Sequence, residues 1–279
     1  MIIIADSGST KTSWCVTGNI ENKEFHQTGG MNPFFRTTAE IADEFEEKIL
    51  PKLKGEVLEI YFYGAGVINE EKGNIVKNAL LKFFPKAKIE VQSDLLAAAR
   101  ATLRRESGIA CILGTGSNSC LYNGYDIVEH VPPLGFILGD EGSGSVLGRK
   151  LLGDFLKGIM PKNIAEKFRN RFPLSYAEFM EGVYKKEKPN KFLAHFVPFI
   201  NENIEAHYCS QLIENSFDEF IKRNIFSYSG FREQPVSFVG SVAFYFQEQL
   251  KNVMKKNQLQ IKTVLQEPMN GLIQYHTEK

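Results

Sequence analysis

A short apolar run that ends in a turn of Gly, Ser and Thr occurs twice in this chain, and this duplication limits the possible folds more than any other feature. The first copy is residues 1–12 (MIIIADSGSTKT) and the second is residues 111–120 (CILGTGSNSC). When they are aligned, Ile4, Gly8 and Ser9 correspond to Ile112, Gly116 and Ser117. Each turn is followed by another short apparent strand. A strand-turn-strand unit that occurs twice predicts two related lobes.

The two turns have the chemistry of phosphate-binding loops. Glycine lets backbone N–H groups approach an anion closely, and Ser and Thr add hydroxyl donors. The second loop, residues 114–117 (GTGS), has both features. A Gly-rich hairpin is a weak signal alone, but its near-copy strengthens it, and the pair predicts an ATP-binding cleft between the lobes. The Gly-x-x-x-x-Gly-Lys-Ser/Thr sequence is absent, which excludes a P-loop enzyme.

The first lobe has the predicted order of three strands, helix, strand, helix, strand and helix. Apolar runs bounded by turn residues predict the strands, and apolar residues at helical spacing predict the helices. The predicted strands are 1–5, 12–17, 23–28, 57–63 and 87–91, and the predicted helices are 38–50, 70–83 and 94–105.

The second lobe begins with the same pattern of three strands. A helix-rich insertion at about 140–230 follows, and its many phenylalanines are expected to form a packed core. A strand, a helix, a strand and a short terminal helix after Pro268 complete the chain. The predicted strands are 108–113, 118–122, 126–131, 236–239 and 259–265, and the helix between the last two is 241–255.

The composition excludes several classes of partner and site. Lys plus Arg and Asp plus Glu each number 33, so the chain has no basic field for nucleic acid or for a membrane surface. The four cysteines form no Cys-x-x-Cys pair, and the five histidines have no metal-ligand spacing. The N-terminal apolar run, residues 1–5, is too short for a signal peptide or a membrane span. These observations predict a reduced, soluble, cytoplasmic protein.

Asp6 and Lys11 lie in or beside the first loop. A carboxylate next to phosphates is tolerated when Mg²⁺ stands between them, and Mg²⁺ commonly uses one or two carboxylates together with water and phosphate oxygens. Asp6 is therefore a candidate for a magnesium-linked role, and the alternative is a turn-forming Asp that caps its own backbone. Lys11 points either to a phosphate or to solvent.

Asp94 lies between a predicted strand and an alanine-rich helix. Phosphoryl transfer to a hydroxyl needs a carboxylate that accepts the proton of the attacking oxygen. Asp94 is a candidate for that base. The sequence Ser93-Asp94 before a helix is also an ordinary helix cap, and the spacing alone leaves both interpretations open.

Residues 135–148 (GFILGDEGSGSVLG) contain five glycines and two adjacent carboxylates before a helix. We expect a loop that packs against a polar ligand, in which Asp140 accepts hydrogen bonds from hydroxyl groups. Glu141 is expected to orient the loop or to assist metal-bound water. Gly240-Ser241 lies where an apolar strand ends and a helix begins. It resembles a turn that borders a bound nucleotide, although strand-Gly-helix connections are common.

Four motifs occur together in the order and spacing of a known family. They are residues 6–12 (DSGSTKT), 114–117 (GTGS), 139–143 (GDEGS) and 238–242 (FVGSV). They resemble the N-acetylglucosamine kinase and BadF/BadG-type ATPase family, within the sugar kinase, heat-shock ATPase and actin superfamily. The resemblance extends over essentially the whole chain, and the second and third motifs are its specific part.

This resemblance implies an α/β protein with the two-lobed actin-like ATPase (ribonuclease H-like) fold. It has a duplicated βββαβαβα core and a helical insertion in the second lobe. The N-terminal lobe would be 1–105, joined by a terminal helix at about 268–279. The C-terminal lobe would be 106–267, with the insertion at about 140–230.

The resemblance also implies roles for individual residues. Asp6 would lie near Mg²⁺, with water between them, and Asp94 would be the base that takes the proton from the 6-hydroxyl of the sugar. The residues expected to bind ATP are Ser7, Gly8, Ser9, Thr10, Lys11, Gly114, Thr115, Gly116, Ser117, Gly240 and Ser241. The residues expected to bind the sugar are Asn32, Asp94, Thr115, Gly135, Phe136 and Asp140.

The implied activity is ATP- and Mg²⁺-dependent phosphorylation of the 6-hydroxyl of N-acetylglucosamine or a closely related amino sugar, by a homodimer. N-acetylmuramic acid and glucosamine are alternative acceptors, and Phe136 stands where these kinases often carry Trp, which reshapes the acyl pocket. A nucleotide-dependent ATPase regulator and a non-catalytic sugar-binding module are alternatives from other classes. The cysteines that hold an iron–sulfur cluster in the dehydratase-activator branch are absent, which argues against that branch.

Overall fold

The computed structural model describes residues 1–8, 10–18 and 22–278. The chain divides into two compact units, and each is discontinuous in sequence. Unit 1 consists of Met1–Glu106, Gly124–Asp126 and Glu267–Lys279, and unit 2 consists of Ser107–Asn123 and Ile127–Gln266.

Unit 1 is built on a five-stranded mixed sheet in the described part of the chain, with the strand order β3-β2-β1-β4-β5. The first three strands form an antiparallel meander, and β4 and β5 run parallel to β1. The strands are β1 (Ile2–Ser7), β2 (Lys11–Thr17), β3 (Lys23–Gly29), β4 (Glu59–Gly64) and β5 (Lys88–Ser93). The helices are α1 (Thr38–Lys48), α2 (Glu70–Leu81), α3 (Asp94–Leu103) and, at the far end of the chain, α13 (Met269–Thr277), with a 3₁₀ turn at Leu50–Lys52.

The core of unit 1 lies between this sheet and its helices. Trp14 of β2 is fully buried and packs edge-on against Phe45 of α1, with ring centroids 5.3 Å apart. A capping box fixes the start of α1, because Thr37 and Glu40 each accept a backbone N–H from the other. Since β1, β4 and β5 are parallel and in register, Ser7, Gly64 and Ser93 end them at one edge of the sheet. That edge holds the candidate residues of this unit.

Helix α13 packs against α3. A Cβ atom on Gly271 would lie 2.8 Å from the carbonyl carbon of Ala101, so only glycine permits this approach. Tyr63 Oη lies 2.8 Å from His276 Nε2 and accepts a hydrogen bond from Arg100. Burial, assisted by the charges of Arg100, Arg105 and Lys88, lowers the pKa of His276 to about 3, so the imidazole is neutral.

Unit 2 repeats the sheet of unit 1, with the strand order β10-β9-β6-β7-β8. Its meander is again antiparallel, and β9 and β10 run parallel to β6. The strands are β6 (Gly108–Leu113), β7 (Ser117–Tyr122), β8 (Ile127–Val131), β9 (Val236–Val239) and β10 (Ile261–Leu265). Two sheets with matching order and direction confirm the duplicated α/β core.

The helical insertion of unit 2 is also confirmed, and its phenylalanines form the expected core. Phe168, Phe196 and Phe217 are fully buried within it. The helices of unit 2 are α4 (Gly135–Leu138), α5 (Gly144–Leu156), α6 (Lys162–Arg171), α7 (Tyr176–Tyr184), α8 (Pro189–Ala194), α9 (Val197–Glu202), α10 (His207–Arg223), α11 (Ser241–Tyr245) and α12 (Gln247–Lys256), with a 3₁₀ turn at Ile225–Ser227. No helix among the described residues has both the length and the apolar character needed to cross a bilayer.

Two predicted elements differ from the structure. The helix predicted at 241–255 is divided into α11 and α12, because the backbone at Phe246 leaves helical values (φ −109°, ψ 30°) while its ring enters the core. The Gly-rich segment 135–148, predicted as a loop, contains α4 and the start of α5. Ser143 caps α5 by accepting the N–H of Val146, so the helix begins at Gly144 and includes the last two glycines of the segment.

Candidate active site

Asp6 lies within β1, paired in register with Ser13 and Tyr63, and not in the turn where the sequence pattern placed it. The strand continues to Ser7 because its pairing with β2 extends that far. Burial raises the pKa of Asp6 to about 7, and the negative charges of Asp94 and Glu267 raise it further against the opposing charge of Lys11. Such a carboxylate is stabilised by a proton or by a cation.

Asp94 is the first residue of α3 and directly follows β5. Ser93, not Asp94, is the capping residue, because its hydroxyl accepts the N–H of Leu96. Burial raises the pKa of Asp94, while backbone N–H groups at the start of the helix lower it less. A partly exposed carboxylate with a raised pKa at the carboxyl edge of a sheet suits a general base.

Asn32 lies in the segment between β3 and α1 and is buried. Its Oδ1 accepts the N–H of Phe34 at 2.9 Å. Gly66, which follows β4 and has a φ of +86°, lies directly against this amide, and a Cβ atom there would be 2.8 Å from Asn32 Cγ. The contact holds Asn32 beside the same sheet edge that carries Asp6 and Asp94.

The remaining residues of the first loop have mixed surroundings, and Ser9 lies outside the described residues. The hydroxyl of Ser7 is buried, lies 2.8 Å from Thr12 Oγ1 and accepts the N–H of Met31. Its hydrogen bonds therefore stabilise the interior of unit 1. Gly8 and Thr10 are exposed. Lys11 is also exposed, and its Nζ lies 2.7 Å from Glu267 Oε1 in a surface ion pair that a phosphate could replace.

In unit 2, the loop Gly114–Ser117 and Asp140 form one structure. The carboxylate of Asp140 accepts the backbone N–H of Ser117, and a Cβ atom on Gly116 would lie 3.1 Å from Asp140 Oδ2. Burial raises the pKa of Asp140 to about 6, and the neighbouring charge of Glu141 adds to this. The structure therefore places a predicted sugar ligand directly beside the second predicted phosphate loop.

The first turn of α5 holds the loop from the other side. The N–H groups of Gly144 and Ser145 donate to the carbonyls of Gly114 and Thr115 at 2.8 and 3.0 Å. The side chain of Thr115 remains exposed. A rigid loop with an exposed hydroxyl is suited to an anion such as a phosphate.

Gly240 and Ser241 lie at the same edge of the sheet of unit 2. Gly240 has a φ of +124°, and a Cβ atom there would lie 2.7 Å from the carbonyl carbon of Leu113, so this turn needs glycine. Its N–H donates to the carbonyl of Leu265 at 2.9 Å. The turn is thus in contact with the residue that precedes the phosphate loop.

A cavity of about 440 Å³ joins these parts of unit 2. Its volume is in the range of small-molecule sites. Three residues predicted to bind ATP line it, namely Gly114, Thr115 and Ser241. The other lining residues are Gly144, Ala194, Val197, Pro198, Asn201, Val242, Tyr245 and Phe246. The structure thus brings three of the six predicted nucleotide residues of this unit into one cavity, and Gly116, Ser117 and Gly240 do not line it.

Two glycines of segment 135–148 have a packing role that their number alone did not indicate. A Cβ atom on Gly148 would lie 2.5 Å from the carbonyl carbon of Leu193, and one on Gly144 would lie 3.3 Å from Ala194 Cβ, so these two seat α8 against α5. Glu141 is buried and pairs with Arg223 Nε at 2.8 Å, which is a structural role. Gly135 (φ +71°) and the half-buried Phe136 begin α4.

Sequence reasoning missed Glu267 and the cavity residues Asn201 and Tyr245. Glu267 follows β10, far from the first loop in sequence, and no motif marks it. Asn201 comes from α9, inside an insertion whose pattern indicated only packing. Tyr245 lies four residues after Ser241, so the helical spacing from that predicted turn was the one available signal.

The described residues contain no group of three or more His, Cys, Asp or Glu side chains that could hold a metal by themselves. The donor chemistry of Asp6 nevertheless fits Mg²⁺, because this cation takes few protein ligands and completes its shell with water and phosphate. The pKa of Asp6 is raised because burial and the carboxylates of Asp94 and Glu267 outweigh the charge of Lys11, and a bound cation would oppose this shift.

Comparisons with known proteins place this geometry in a family. No family model matches the chain, and no curated protein sequence matches it. Among solved structures, a candidate N-acetylglucosamine kinase from Porphyromonas gingivalis is 46% identical, with a TM-score of 0.94 and coverage of 100% of this chain and 99% of that one.

Two more distant structures share the fold. A candidate N-acetylglucosamine kinase from Chromobacterium violaceum is 16% identical, with a TM-score of 0.75 and 98% coverage of both chains. A ROK-family glucokinase from Streptomyces griseus, solved with glucose and AMPPNP, is 13% identical, with a TM-score of 0.55 and coverage of 98% and 97%. The full-length match at 46% identity shows that this chain belongs to the family of the Porphyromonas gingivalis protein, and the two more distant matches show that it shares their fold.

Proposed function

We propose that the protein is an ATP- and Mg²⁺-dependent kinase that phosphorylates the 6-hydroxyl of N-acetylglucosamine or a closely related amino sugar. The cavity of unit 2, lined by Gly114, Thr115 and Ser241, carries the nucleotide part of this proposal. The amino-sugar part is supported by the 46% identity to the Porphyromonas gingivalis protein. Placement in the BadF/BadG-type branch is supported by the four motifs alone.

In the proposed reaction, the 6-oxygen of the sugar attacks the γ-phosphorus of ATP. The new O–P bond forms as the bond from the γ-phosphorus to its bridging oxygen breaks, and ADP leaves. The hydroxyl proton passes to the carboxylate of Asp94. A base in this position contributes about 10²- to 10⁴-fold to the rate. The raised pKa of Asp94 makes its carboxylate a stronger proton acceptor.

The loops hold the triphosphate. The backbone N–H groups of Thr115 and Gly116 and the exposed hydroxyl of Thr115 bind phosphate oxygens, since those of Gly114 and Ser117 already donate to Gly116 and Asp140. Gly8, Thr10 and Lys11 contribute from the first loop. When bound, Mg²⁺ offsets the charge that develops on the phosphoryl oxygens. Asp6 would hold it, through water, because at this carboxylate of β1 burial and the charges of Asp94 and Glu267 outweigh the charge of Lys11.

The sugar is held by polar groups that the unit interiors keep in place. Asn32 is fixed by Phe34 and Gly66, and Asp140 is fixed by the N–H of Ser117. A carboxylate is a strong acceptor for sugar hydroxyl groups. Gly135 and Phe136 would contact the acyl group, where Phe136 gives an apolar surface and no indole donor.

The testing experiment is coupled ADP release with Mg-ATP. The acceptors are N-acetylglucosamine, N-acetylmuramic acid, glucosamine and glucose, with a blank that contains no sugar. We expect a rate that depends on an N-acetylated sugar, and phosphorus and proton NMR of the product should place the phosphate at the 6-position. Turnover that is equal in the blank would contradict the proposal and favour an ATPase regulator. Sugar binding without any ATP binding would favour a non-catalytic module.

A further inference from the structure

The nucleotide cavity of unit 2 has a direction that the fold defines. One end is the phosphate loop, because Gly114 and Thr115 line the cavity and bond to the first turn of α5. Val197, the first residue of α9, is placed at that end, since a Cβ atom on Gly144 would lie 3.5 Å from its side chain. Ser241, the first residue of α11, follows the Gly240 turn that abuts Leu113. Both helices therefore begin at the phosphate end.

The second turns of these two helices form the far end of the cavity. Asn201 and Tyr245 lie four residues after Val197 and Ser241, so each follows on the same helix face by one turn. Both line the cavity. Tyr245 is 56% exposed, and its Oη accepts a hydrogen bond from Gln266 Nε2 at 3.2 Å, which anchors the ring.

We propose that this far end binds the purine base of the nucleotide and that Asn201 selects adenine over guanine. The inference rests on the proposed function in taking ATP as the nucleotide. Tyr245 supplies an aromatic face on which any base can stack, so it favours a base without choosing one. Pro198 and Phe246 add apolar surface.

The choice comes from the amide of Asn201, which is the one amide side chain among the residues lining this cavity in the described chain. An amide carries an acceptor oxygen and donor N–H groups side by side. On its N7 edge adenine presents a matching pair, the N6 amino donor and the N7 acceptor, whereas guanine presents two acceptors there, O6 and N7, which an amide cannot match as a pair. A paired contact of this kind discriminates roughly 5- to 150-fold between bases.

The test is the ratio of kcat/KM with ATP to kcat/KM with GTP, measured with N-acetylglucosamine for the wild type, Asn201→Ala and Asn201→Asp. We expect the ratio to fall at least fivefold in Asn201→Ala. It should fall further in Asn201→Asp, because a carboxylate has no donor for adenine and accepts from the N1 and N2 groups of guanine. The KM for the sugar should not change. Asn170→Ala, an exposed asparagine on α6 that does not line this cavity, is the matched control.

Calorimetric titration with ADP and GDP separates this inference from the proposed function. If no sugar is phosphorylated but ADP binds more tightly than GDP and Asn201→Ala removes the difference, the base site stands and the kinase proposal fails. If a sugar is phosphorylated and the ratio is the same in the wild type and both Asn201 variants, the kinase proposal stands and the role of Asn201 is wrong.

Discussion

Gly66 supports Asn32 by contact with its side-chain amide. A Cβ atom on Gly66 would overlap Oδ1 of Asn32 and lie 2.8 Å from its Cγ. Oδ1 cannot move freely, because it accepts the N–H of Phe34 at 2.9 Å. The left-handed backbone of Gly66, with a φ of +86°, turns the chain so that the two residues meet. The orientation of Asn32 thus depends on a residue from a different loop.

Gly66→Ala should raise the KM for the sugar while leaving the KM for ATP unchanged. The added methyl group displaces the amide of Asn32, and the left-handed backbone costs a further 1–3 kcal/mol or so of stability. Steady-state kinetics with each substrate varied in turn measures the effect. Gly73→Ala is the matched control, because a Cβ atom at this helical position meets only ordinary contacts, 3.6 Å from Val67 and 3.8 Å from Val91. An unchanged sugar KM in Gly66→Ala would show that Asn32 does not bind the sugar.

Asp94→Asn should lower kcat by about 10²- to 10⁴-fold, because the amide cannot accept the hydroxyl proton. ADP binding should be retained, since Asp94 belongs to unit 1 and the cavity residues to unit 2. Stability should also be retained, because Ser93 caps α3 and a neutral amide suits a half-buried position. Asp43→Asn, at an exposed position of α1, should have normal kinetics. Full activity in Asp94→Asn would remove Asp94 from the mechanism.

Asp6→Asn should raise the unfolding temperature of the nucleotide-free protein at pH 8. The folded pKa of Asp6 is about 7, above its ordinary value of 3.8, so between these values the folded protein binds a proton that the unfolded chain has lost. Stability from this group is therefore present below pH 4 and is lost as the pH rises through 7. Asp6→Asn is neutral at every pH in this range, so it does not lose stability through the ionisation of this side chain.

Thermal unfolding of the wild type and Asp6→Asn from pH 4 to pH 8 measures this effect. The gap between the two curves should widen with rising pH and close towards pH 4, whereas Asp43→Asn should follow the wild type throughout. A gap that is constant across this range would mean that the pKa of Asp6 is not raised by Asp94, Glu267 and burial.

Substitution by alanine at two glycines of α5, Gly148 and Gly153, should change the free energy of unfolding in opposite directions. In Gly148→Ala the new Cβ atom would lie 2.5 Å from the carbonyl carbon of Leu193, so α8 must move away from α5 at a cost of about 1–3 kcal/mol. At Gly153 a Cβ atom meets nothing within 4 Å, and Gly153→Ala should stabilise the helix by up to about 1 kcal/mol.

Urea unfolding followed by circular dichroism gives both free energies. ADP titration adds a second readout, because Ala194 at the end of α8 lines the nucleotide cavity, so Gly148→Ala should weaken ADP binding and Gly153→Ala should not. Equal stability of the two variants would show that α8 is not held tightly against Gly148.

The sheets were predictable because their signals are local. The apolar run of β1 and its near-copy in β6 indicated duplicated strands, and the register of Ser7 with Gly64 and Ser93 follows from parallel pairing. The packing of Gly144 and Gly148 against α8 was not predictable, because it is a tertiary contact that no spacing shows. The partnership of Gly66 with Asn32 and the cavity residues Asn201 and Tyr245 have the same origin, since each depends on segments that only the fold brings together.

Helix α3 carries Asp94 at its first turn and is packed against α13, through Gly271 on Ala101, while His276 of α13 contacts Tyr63 of β4. During synthesis, α3 leaves the ribosome long before α13, with the whole of β6 to β10 produced in between. The packing of the helix that carries the proposed base must therefore wait for residues 267–277. Unit 2 meets no such delay of its own, so the nucleotide cavity can form on the nascent chain before the proposed base is fixed in place.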